Sequence, residues 1–378
     1  MKLAIPKATL EGEARVSLIP ETCTRIKKLG LDTLIESGAG TQAGFLDSEY
    51  EAVGVKTCGS ADELFGEADI FVSVCPPTDA DLSRLRSGCT LFSILNPLIR
   101  HDLVRKLAEG GITSLAMDLM PRISRAQKMD VLSSQSTISG YKAVLLAAAE
   151  LQKMFPMMMT AAGTLAPAKV LVMGAGVAGL QAIATARRLG AVVEAFDVRP
   201  AVKEQVQSLG AKFVEVEAPA EDAEDKGGYA KEMSDAYKQK QKEVIAQHVK
   251  DADIAISTAL IPGKPAPILI TAEMVHAMRP GSVIIDLAAE AGGNCELTRA
   301  GERVDANGVL ILGPTNLPAS VPFHASQMYS RNVGAFLQDL VKEGQLILSM
   351  DDECVAGTLI TQGGQIVHPR VRDAMGGK

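Results

Sequence analysis

The 378-residue chain has no tryptophan and only 4% aromatic residues, so its interior must be built from aliphatic side chains. Its six cysteines, Cys23, Cys58, Cys75, Cys89, Cys295 and Cys354, form no C-x-x-C pair and have no histidine neighbour at metal spacing, and the five histidines do not cluster. That scatter excludes a disulfide framework, assigns no metal, and fits reduced, mostly buried thiols in a cytosolic protein. Positive charge is in deficit: a formal net charge of −7 leaves no basic face for nucleic acid or an anionic membrane surface. The N-terminus lacks the apolar run and cleavage site of a signal peptide. No stretch reaches the ~20 uncharged apolar residues of a membrane span. The nearest, residues 143–162, is interrupted by Glu150, Gln152, Lys153 and Pro156, and reads as a buried helix with Met157, Met158 and Met159 packing at its end.

Aliphatic residues are plentiful. With 47% hydrophobic residues the chain can bury two ordinary cores, and two domains are the default. Strand patterns at 3–6, 33–36, 70–74, 90–95 and 112–117 alternate with helical ones near 20–29, 61–66, 81–85 and 102–109. Such alternation predicts an α/β fold with a parallel sheet covered on both faces.

The most informative stretch is Val170-Leu171-Val172-Met173 followed by Gly174-Ala175-Gly176-Val177-Ala178-Gly179 and an alanine-rich helix. Strand, glycine turn and helix in that order form a dinucleotide fingerprint. Gly174 makes the tight turn, Gly176 admits a pyrophosphate close to the backbone, and Gly179 lets helix and strand approach. The first helical amides, of Val177 and Ala178 among others, then face the phosphates. The next strand pattern, 191–196, ends at Asp197, where a carboxylate accepts from the adenosine ribose hydroxyls and favours NAD over NADP. Val198 and Arg199 follow, and an arginine there is able to serve a 2′-phosphate, a role read as secondary.

Faint self-similarity links the two halves. Gly54-Val55-Lys56 resembles Gly210-Ala211-Lys212, Ala68-Asp69-Ile70 resembles Ala252-Asp253-Ile254, and Arg86-Ser87-Gly88-Cys89 resembles Arg279-Pro280-Gly281-Ser282. Yet 15 positions separate Gly54 from Asp69, whereas 43 separate Gly210 from Asp253. The insertion is too charged for a core, and reads as a mobile loop at about 217–240 with a Gly227-Gly228 hinge and Tyr229 available to a ligand. A solvated surface loop with an incidental tyrosine is the plainer alternative. A long helix at 320–341 and a hairpin around Gly363-Gly364 complete the chain. The expected organisation is two Rossmann-like domains: 1–138 plus 320–378, and an inserted nucleotide-binding domain, 139–319, with a cleft between them.

Polar chemistry concentrates in residues 120–136, which follow a predicted strand and so fall at the carboxyl edge of its sheet, where α/β proteins bind ligands. A nicotinamide carboxamide offers one acceptor and two donors, which Gln127, Asp130 and Ser133 match. The plain alternative is a polar loop capping the next helix through Ser133 or Ser134.

Residues 120–136, 155–164, 174–179, 227–233, 258–267 and 281–295 together resemble the NAD(H)-binding component of the proton-translocating nicotinamide nucleotide transhydrogenases, over nearly the whole chain. The stretch around Arg122 and the Gly-Gly-Tyr stretch are the distinctive ones. The resemblance implies a peripheral subunit that binds NADH and passes hydride to NADP⁺ on a partner component, coupled to proton translocation. It implies Arg122, Gln127, Asp130 and Ser133 around the nicotinamide, Asp197 at the adenosine ribose, and Tyr229 on a loop closing over the nucleotide. It further implies a homodimer with membrane-spanning and NADP(H)-binding partner subunits, at the cytoplasmic face of the bacterial inner membrane without direct insertion.

Alanine dehydrogenases share this fold, and an alanine-dehydrogenase-like soluble NAD-dependent dehydrogenase is the rival reading, with a non-catalytic NAD-sensing module as a third. The chain keeps those enzymes' N-terminal arginine as Arg15. It has no lysine in Phe71-Val72-Ser73-Val74-Cys75-Pro76, Asn96 in place of their histidine, and Glu290 in place of their later aspartate. Oxidising an amine needs a base and a substrate clamp. Exchange of hydride between two nicotinamides moves no proton at the reacting carbons, so it needs alignment and exclusion of water instead.

Overall fold

The computed structural model describes residues 1–216, 235–261 and 263–376. The chain forms two compact units, residues 1–135 with 318–378, and residues 136–317.

The first unit begins with β1 (Lys2–Ile5), β2 (Asp32–Glu36), β3 (Lys56–Cys58), β4 (Ile70–Val72), β5 (Thr90–Ser93) and β6 (Thr113–Ala116), separated by short helices. The second unit carries β7 (Met158–Thr160), β8 (Gly163–Leu165), β9 (Lys169–Met173), β10 (Val192–Phe196), β11 (Lys212–Phe213), β12 (Ile254–Ser257), β13 (Val283–Asp286), β14 (Arg303–Ala306) and β15 (Val309–Leu312). The returning chain adds the helix Pro322–Leu340, the small ribbon β16 (Val341–Lys342) and β17 (Gln345–Leu346), and the hairpin β18 (Leu359–Gln362) and β19 (Gln365–Ile366).

The first sheet has the order β19-β18-β6-β5-β4-β1-β2-β3 and the second β11-β10-β9-β12-β13-β15-β14. Pairing is parallel except for β18 and β19 in one and β14 in the other. Side chains alternate across each sheet. Thus Leu3, Ile5, Val72 and Phe92 face one core layer of the first unit, while Ala4, Phe71 and Leu91 face the other. In the second unit Val170, Val172, Ile254 and Ile256 oppose Leu171, Met173 and Ala255 in the same way.

The self-similar segments occupy equivalent places. Lys2 N–H donates to the Asp69 carboxylate at 2.9 Å, and Lys169 N–H donates to the Asp253 carboxylate at 2.8 Å. Gly54 and Gly210, which precede the matching strands β3 and β11, are both left-handed, with φ of 83° and 78°.

Two expectations need correction. Residues 143–162 are not one buried helix: the helix Val131–Glu150 stops, and the chain enters the hairpin of β7 and β8, where Met159 is 78% exposed. Pro156 lacks an amide and disfavours helical backbone at Phe155, so no unbroken helix can run through 143–162, and this one ends earlier, at Glu150. The expected loop at 217–240 is shorter at its far end, because the helix Asp235–Asp251 has already begun. Tyr229 and its glycine hinge lie outside the described residues.

Candidate functional site

In the second unit, β9 runs straight into the glycine turn. Gly174 has φ of +97°, backbone that a Cβ resists, and its N–H donates to the Phe196 carbonyl at 2.8 Å. Thr258 Oγ1, just past β12, donates to the Gly174 carbonyl at 2.9 Å, and a Cβ on Gly174 would meet that hydroxyl oxygen at 2.6 Å. The helix Val177–Arg188 follows, with Gly176 as its cap and no side chain satisfying the first amides. A Cβ on Gly176 would meet nothing within 4 Å. Among the described residues, open space therefore lies against helical N–H groups that no side chain caps, the geometry an anionic pyrophosphate requires.

Asp197, at the end of β10, projects toward the same turn. It accepts from the Ala175 N–H at 2.7 Å and the Arg199 N–H at 2.8 Å, and pairs with the Arg199 guanidinium at 3.0 Å. Burial raises its pKa, but the bonds from Arg199 and Ala175 outweigh burial and hold the carboxyl below its ordinary range. Val198 beside it is exposed. The turn, Val177, Ala178, Asp197, Val198 and Arg199 are thus brought together. This arrangement fits a dinucleotide: a cradle without side chains, a helix N-terminus, and a carboxylate one strand away.

Sequence reasoning missed a buried support next to this turn. Asp286, at the end of β13, is fully buried and accepts from the Asn294 N–H (2.7 Å), the Cys295 N–H (3.0 Å), the Ala288 N–H (3.0 Å), Ser257 Oγ (3.1 Å) and Thr298 Oγ1 (2.7 Å). Asn294 in turn accepts from the Ala259 N–H and donates to the carbonyls of Ala259 and Pro267, tying both ends of the segment after β12. An aspartate at a strand end, inside the motif at 281–295, was the available signal.

In the first unit, residues 120–130 follow β6 through two short 3-10 turns, Met117–Leu119 and Ser124–Met129. Ala126 and Met129 are buried, and Arg125 pairs with Asp352 and lies 3.8 Å from Asp339. Lys128 reaches Asp339 at 3.2 Å, and Asn332 Nδ2 donates to the Lys128 carbonyl at 2.9 Å. With the stretch pinned at those points, Arg122 and Gln127 are left exposed. Asp130 caps the helix Val131–Glu150: its carboxylate accepts from the Ser133 N–H at 2.9 Å and from Ser133 Oγ at 2.6 Å. The cap is therefore Asp130, not Ser133 or Ser134, because a cap must precede the first helical residue to reach its third amide.

Arg15 is buried and clamped. Its guanidinium donates to Glu13 at 2.8 and 2.6 Å and to Gln135 Oε1 at 2.9 Å, and Cys75 Sγ donates to Glu13 at 2.9 Å. Burial, reinforced by Glu13, pushes the Cys75 thiol up to about 12, so it stays protonated. Asn96 has φ of +48°, and Glu290 accepts from the Asn316 N–H at 2.8 Å. Among the described residues no group of His, Cys, Asp and Glu is arranged to hold a metal, and no helix is long and apolar enough to cross a membrane.

Two parallel-dominated sheets, one with a glycine turn between strand and helix, define a two-domain Rossmann-like α/β protein. The chain belongs to the alanine dehydrogenase/PNT family, matching its N-terminal domain over residues 4–139 and its C-terminal domain over 143–369. It is 49% identical to an NAD(P) transhydrogenase subunit alpha chain of Rhodospirillum rubrum over 98% of each chain. It is 48% identical to the longer NAD(P) transhydrogenase subunit alpha of Cereibacter sphaeroides, covering 98% of this chain and 71% of that protein. Among solved structures, transhydrogenase from Sinorhizobium meliloti superposes with a TM-score of 0.86 at 44% identity, covering 98% of this chain and 99% of that one. An L-alanine dehydrogenase superposes at 0.85 with 26% identity, covering 100% and 99%.

Proposed function

We propose that this chain is the NAD(H)-binding component of a proton-translocating NAD(P) transhydrogenase, handing hydride from NADH to NADP⁺ carried by a partner component. The observation that carries the reading is the Gly174–Gly179 turn, open at Gly176, with Asp197 held beside it. The identity of 49% to a transhydrogenase alpha subunit, against 28% to the alanine dehydrogenase of Mycobacterium tuberculosis, supports the transhydrogenase reading over the dehydrogenase one.

In this reading the amides of Val177 and Ala178 bind the pyrophosphate, Asp197 takes the adenosine ribose, and Arg122, Gln127, Asp130 and Ser133 serve the nicotinamide end. Tyr229 closes over the nucleotide. The bound nicotinamide supplies the hydride chemistry. The chain's residues orient it and exclude water, since no proton moves at the reacting carbons. The segment Phe71–Pro76 holds no lysine, and the protonated thiol of Cys75 within it offers no cationic clamp for an amino acid. The assembly comprises a homodimer of this chain with membrane-spanning and NADP(H)-binding subunits, placing it peripherally at the cytoplasmic face of the membrane.

Mixing experiments test this. The purified chain binds NADH with negligible turnover, and addition of the NADP(H)-binding partner starts oxidation of NADH by the acceptor at that site. Turnover with pyruvate and ammonia by the chain alone would establish the dehydrogenase instead.

A further inference from the structure

Arg122 and Gln127 stand on a stretch joined by short-range backbone bonds: Ile123 N–H donates to the Pro121 carbonyl at 3.0 Å, Ala126 N–H to the Ile123 carbonyl at 3.0 Å and Asp130 N–H to the Gln127 carbonyl at 3.4 Å. Such bonds shape the stretch locally. Where it stands on the first unit is set by buried Ala126 and Met129 and by side chains that reach it from the returning chain.

Two ties come from one short helix, Glu353–Thr358. At its start Asp352 caps the helix, accepting from the Cys354 N–H at 2.8 Å and the Val355 N–H at 3.4 Å, and the same carboxylate takes the Arg125 guanidinium on both oxygens, one of these bonds at 2.9 Å. A fork of this kind fixes direction as well as distance. Near the helix end, Gly357 lies against Pro121: a Cβ on Gly357 would stand 3.0 Å from the Pro121 Cδ and 3.3 Å from its Cγ. The proline ring is locked to its own backbone, so a push on it passes to Arg122, the next residue. The helix itself does not yield, because Cys354, Val355 and Thr358 are buried and the Gly357 carbonyl accepts from His368 Nε2 at 3.2 Å. An ion pair as exposed as this one, 44% along Arg125 and 27% along Asp352, adds little to stability. Its consequence is placement.

We infer that the helix Glu353–Thr358 is a bracket that sets where Arg122 and Gln127 stand, and that Asp352 and Gly357 are positioning residues for hydride transfer that do not touch the nucleotide. The inference rests on the reading that Arg122 and Gln127 serve the nicotinamide end, and extends it to a segment 227 residues away in sequence.

The test compares single-turnover hydride transfer in the complex with the NADP(H)-binding partner, NADH titration of the full chain, and urea unfolding. The variants are Asp352→Asn, Arg125→Lys, Arg125→Ala, the double variant Asp352→Asn/Arg125→Ala, Gly357→Ala, and Arg122→Ala as the control on the site. Asparagine caps a helix as well as aspartate does, so Asp352→Asn keeps the cap and removes only the counter-charge of Arg125. Alanine is favoured over glycine inside a helix, so Gly357→Ala presses on Pro121 without weakening the helix. Both are expected to slow hydride transfer about tenfold, the scale of a sub-ångström misplacement, with NADH affinity held within about twofold and the unfolding midpoint unchanged. Arg125→Lys keeps the charge without the fork and falls between wild type and Arg125→Ala. The double variant is no slower than its slower parent, because one tie is broken twice. A wild-type rate in Asp352→Asn or in folded Gly357→Ala, beside a slowed Arg122→Ala, overturns the bracket and leaves the site reading standing. Rate falling in step with the unfolding midpoint or with NADH affinity also overturns it, since the helix is then a structural or binding element only. A wild-type rate in Arg122→Ala removes the reading of the stretch, and this inference with it. Should Gly357→Ala not fold, Asp352→Asn and the double variant decide the question.

Discussion

A Cβ on Gly179 would lie 1.8 Å from the carbonyl oxygen of Gly174, so turn and helix meet at a distance only hydrogen tolerates. The neighbouring packing is equally close: a Cβ on Gly140, in the helix Val131–Glu150, would lie 2.1 Å from the Ala178 carbonyl oxygen. The first amides of the helix Val177–Arg188 are thereby positioned from two sides by absent side chains.

Gly179→Ala must push the helix start away from the turn. Overpacking of this kind costs on the order of 1–3 kcal/mol, and most of it should appear as misplaced amides. NADH affinity should fall about tenfold or more. Gly140→Ala should give the same direction of change from a residue behind the turn. Titration with NADH, alongside a thermal melt to separate binding from folding, checks both; unchanged affinity in a folded Gly179→Ala chain would mean that the turn does not hold the nucleotide.

Asp286 should matter to stability more than any exposed acid. Five donors converge on it in a fully buried place, and Asp286→Ala would strand several at once. Each stranded buried donor costs about 1–3 kcal/mol, partly relieved by water, so a loss of at least ~3 kcal/mol is expected in urea unfolding. Asn294→Ala should cost less overall but free the segment from Ala259 to Pro267, raising its amide hydrogen exchange while the core strands stay protected.

Legibility in the sequence depended on whether the information was local. The turn from Gly174 to Gly179 could be read because strand, glycine spacing and helix lie in one stretch. The repeat of Asp69 as Asp253 was visible only as short matching words, and the equivalence of Lys2 and Lys169 that gives it meaning came from two sheets running β3-β2-β1-β4-β5 and β11-β10-β9-β12-β13. Asp286 and Asn294 stayed hidden because their partners are backbone groups brought together by folding. Residues 143–162 misled because composition continues across Pro156 while helical backbone does not. The capping role of Asp130 was obscured by the serines that follow it, which are equally good caps by type but lie inside the helix.

The buried thiols set an alkaline limit. Burial pushes Cys23 and Cys75 to about 12 and Cys89 to about 11 from an ordinary value of 9.0. For an acid raised in the folded state, the contribution to stability is complete below the unfolded value and disappears as pH climbs through the folded one. Stability should therefore decline from about pH 9 toward pH 12, and at pH 8 these thiols should resist a thiol reagent until denaturant is added. Rapid labelling of Cys23 or Cys89 in the native chain at pH 8 would contradict the burial of those two thiols.

The last expectation concerns the exposed pair Arg122 and Gln127. The stretch that carries them is held by Arg125 on Asp352, by Asn332 on the Lys128 carbonyl and by the Asp130 cap, none of which needs Arg122 or Gln127. Removing either side chain should leave the fold intact, with stability changed by no more than ~0.5 kcal/mol. If their work is to align the nicotinamide, Arg122→Ala and Gln127→Ala should lower hydride transfer in the complex with the partner component far more than they lower NADH affinity. An interaction used mainly for alignment reduces kcat, whereas one used for uniform binding raises KM alone. Single-turnover rates with the assembled partner and equilibrium titrations of the isolated chain separate the two. Rate and affinity falling in step would make this stretch a binding surface without a positioning role.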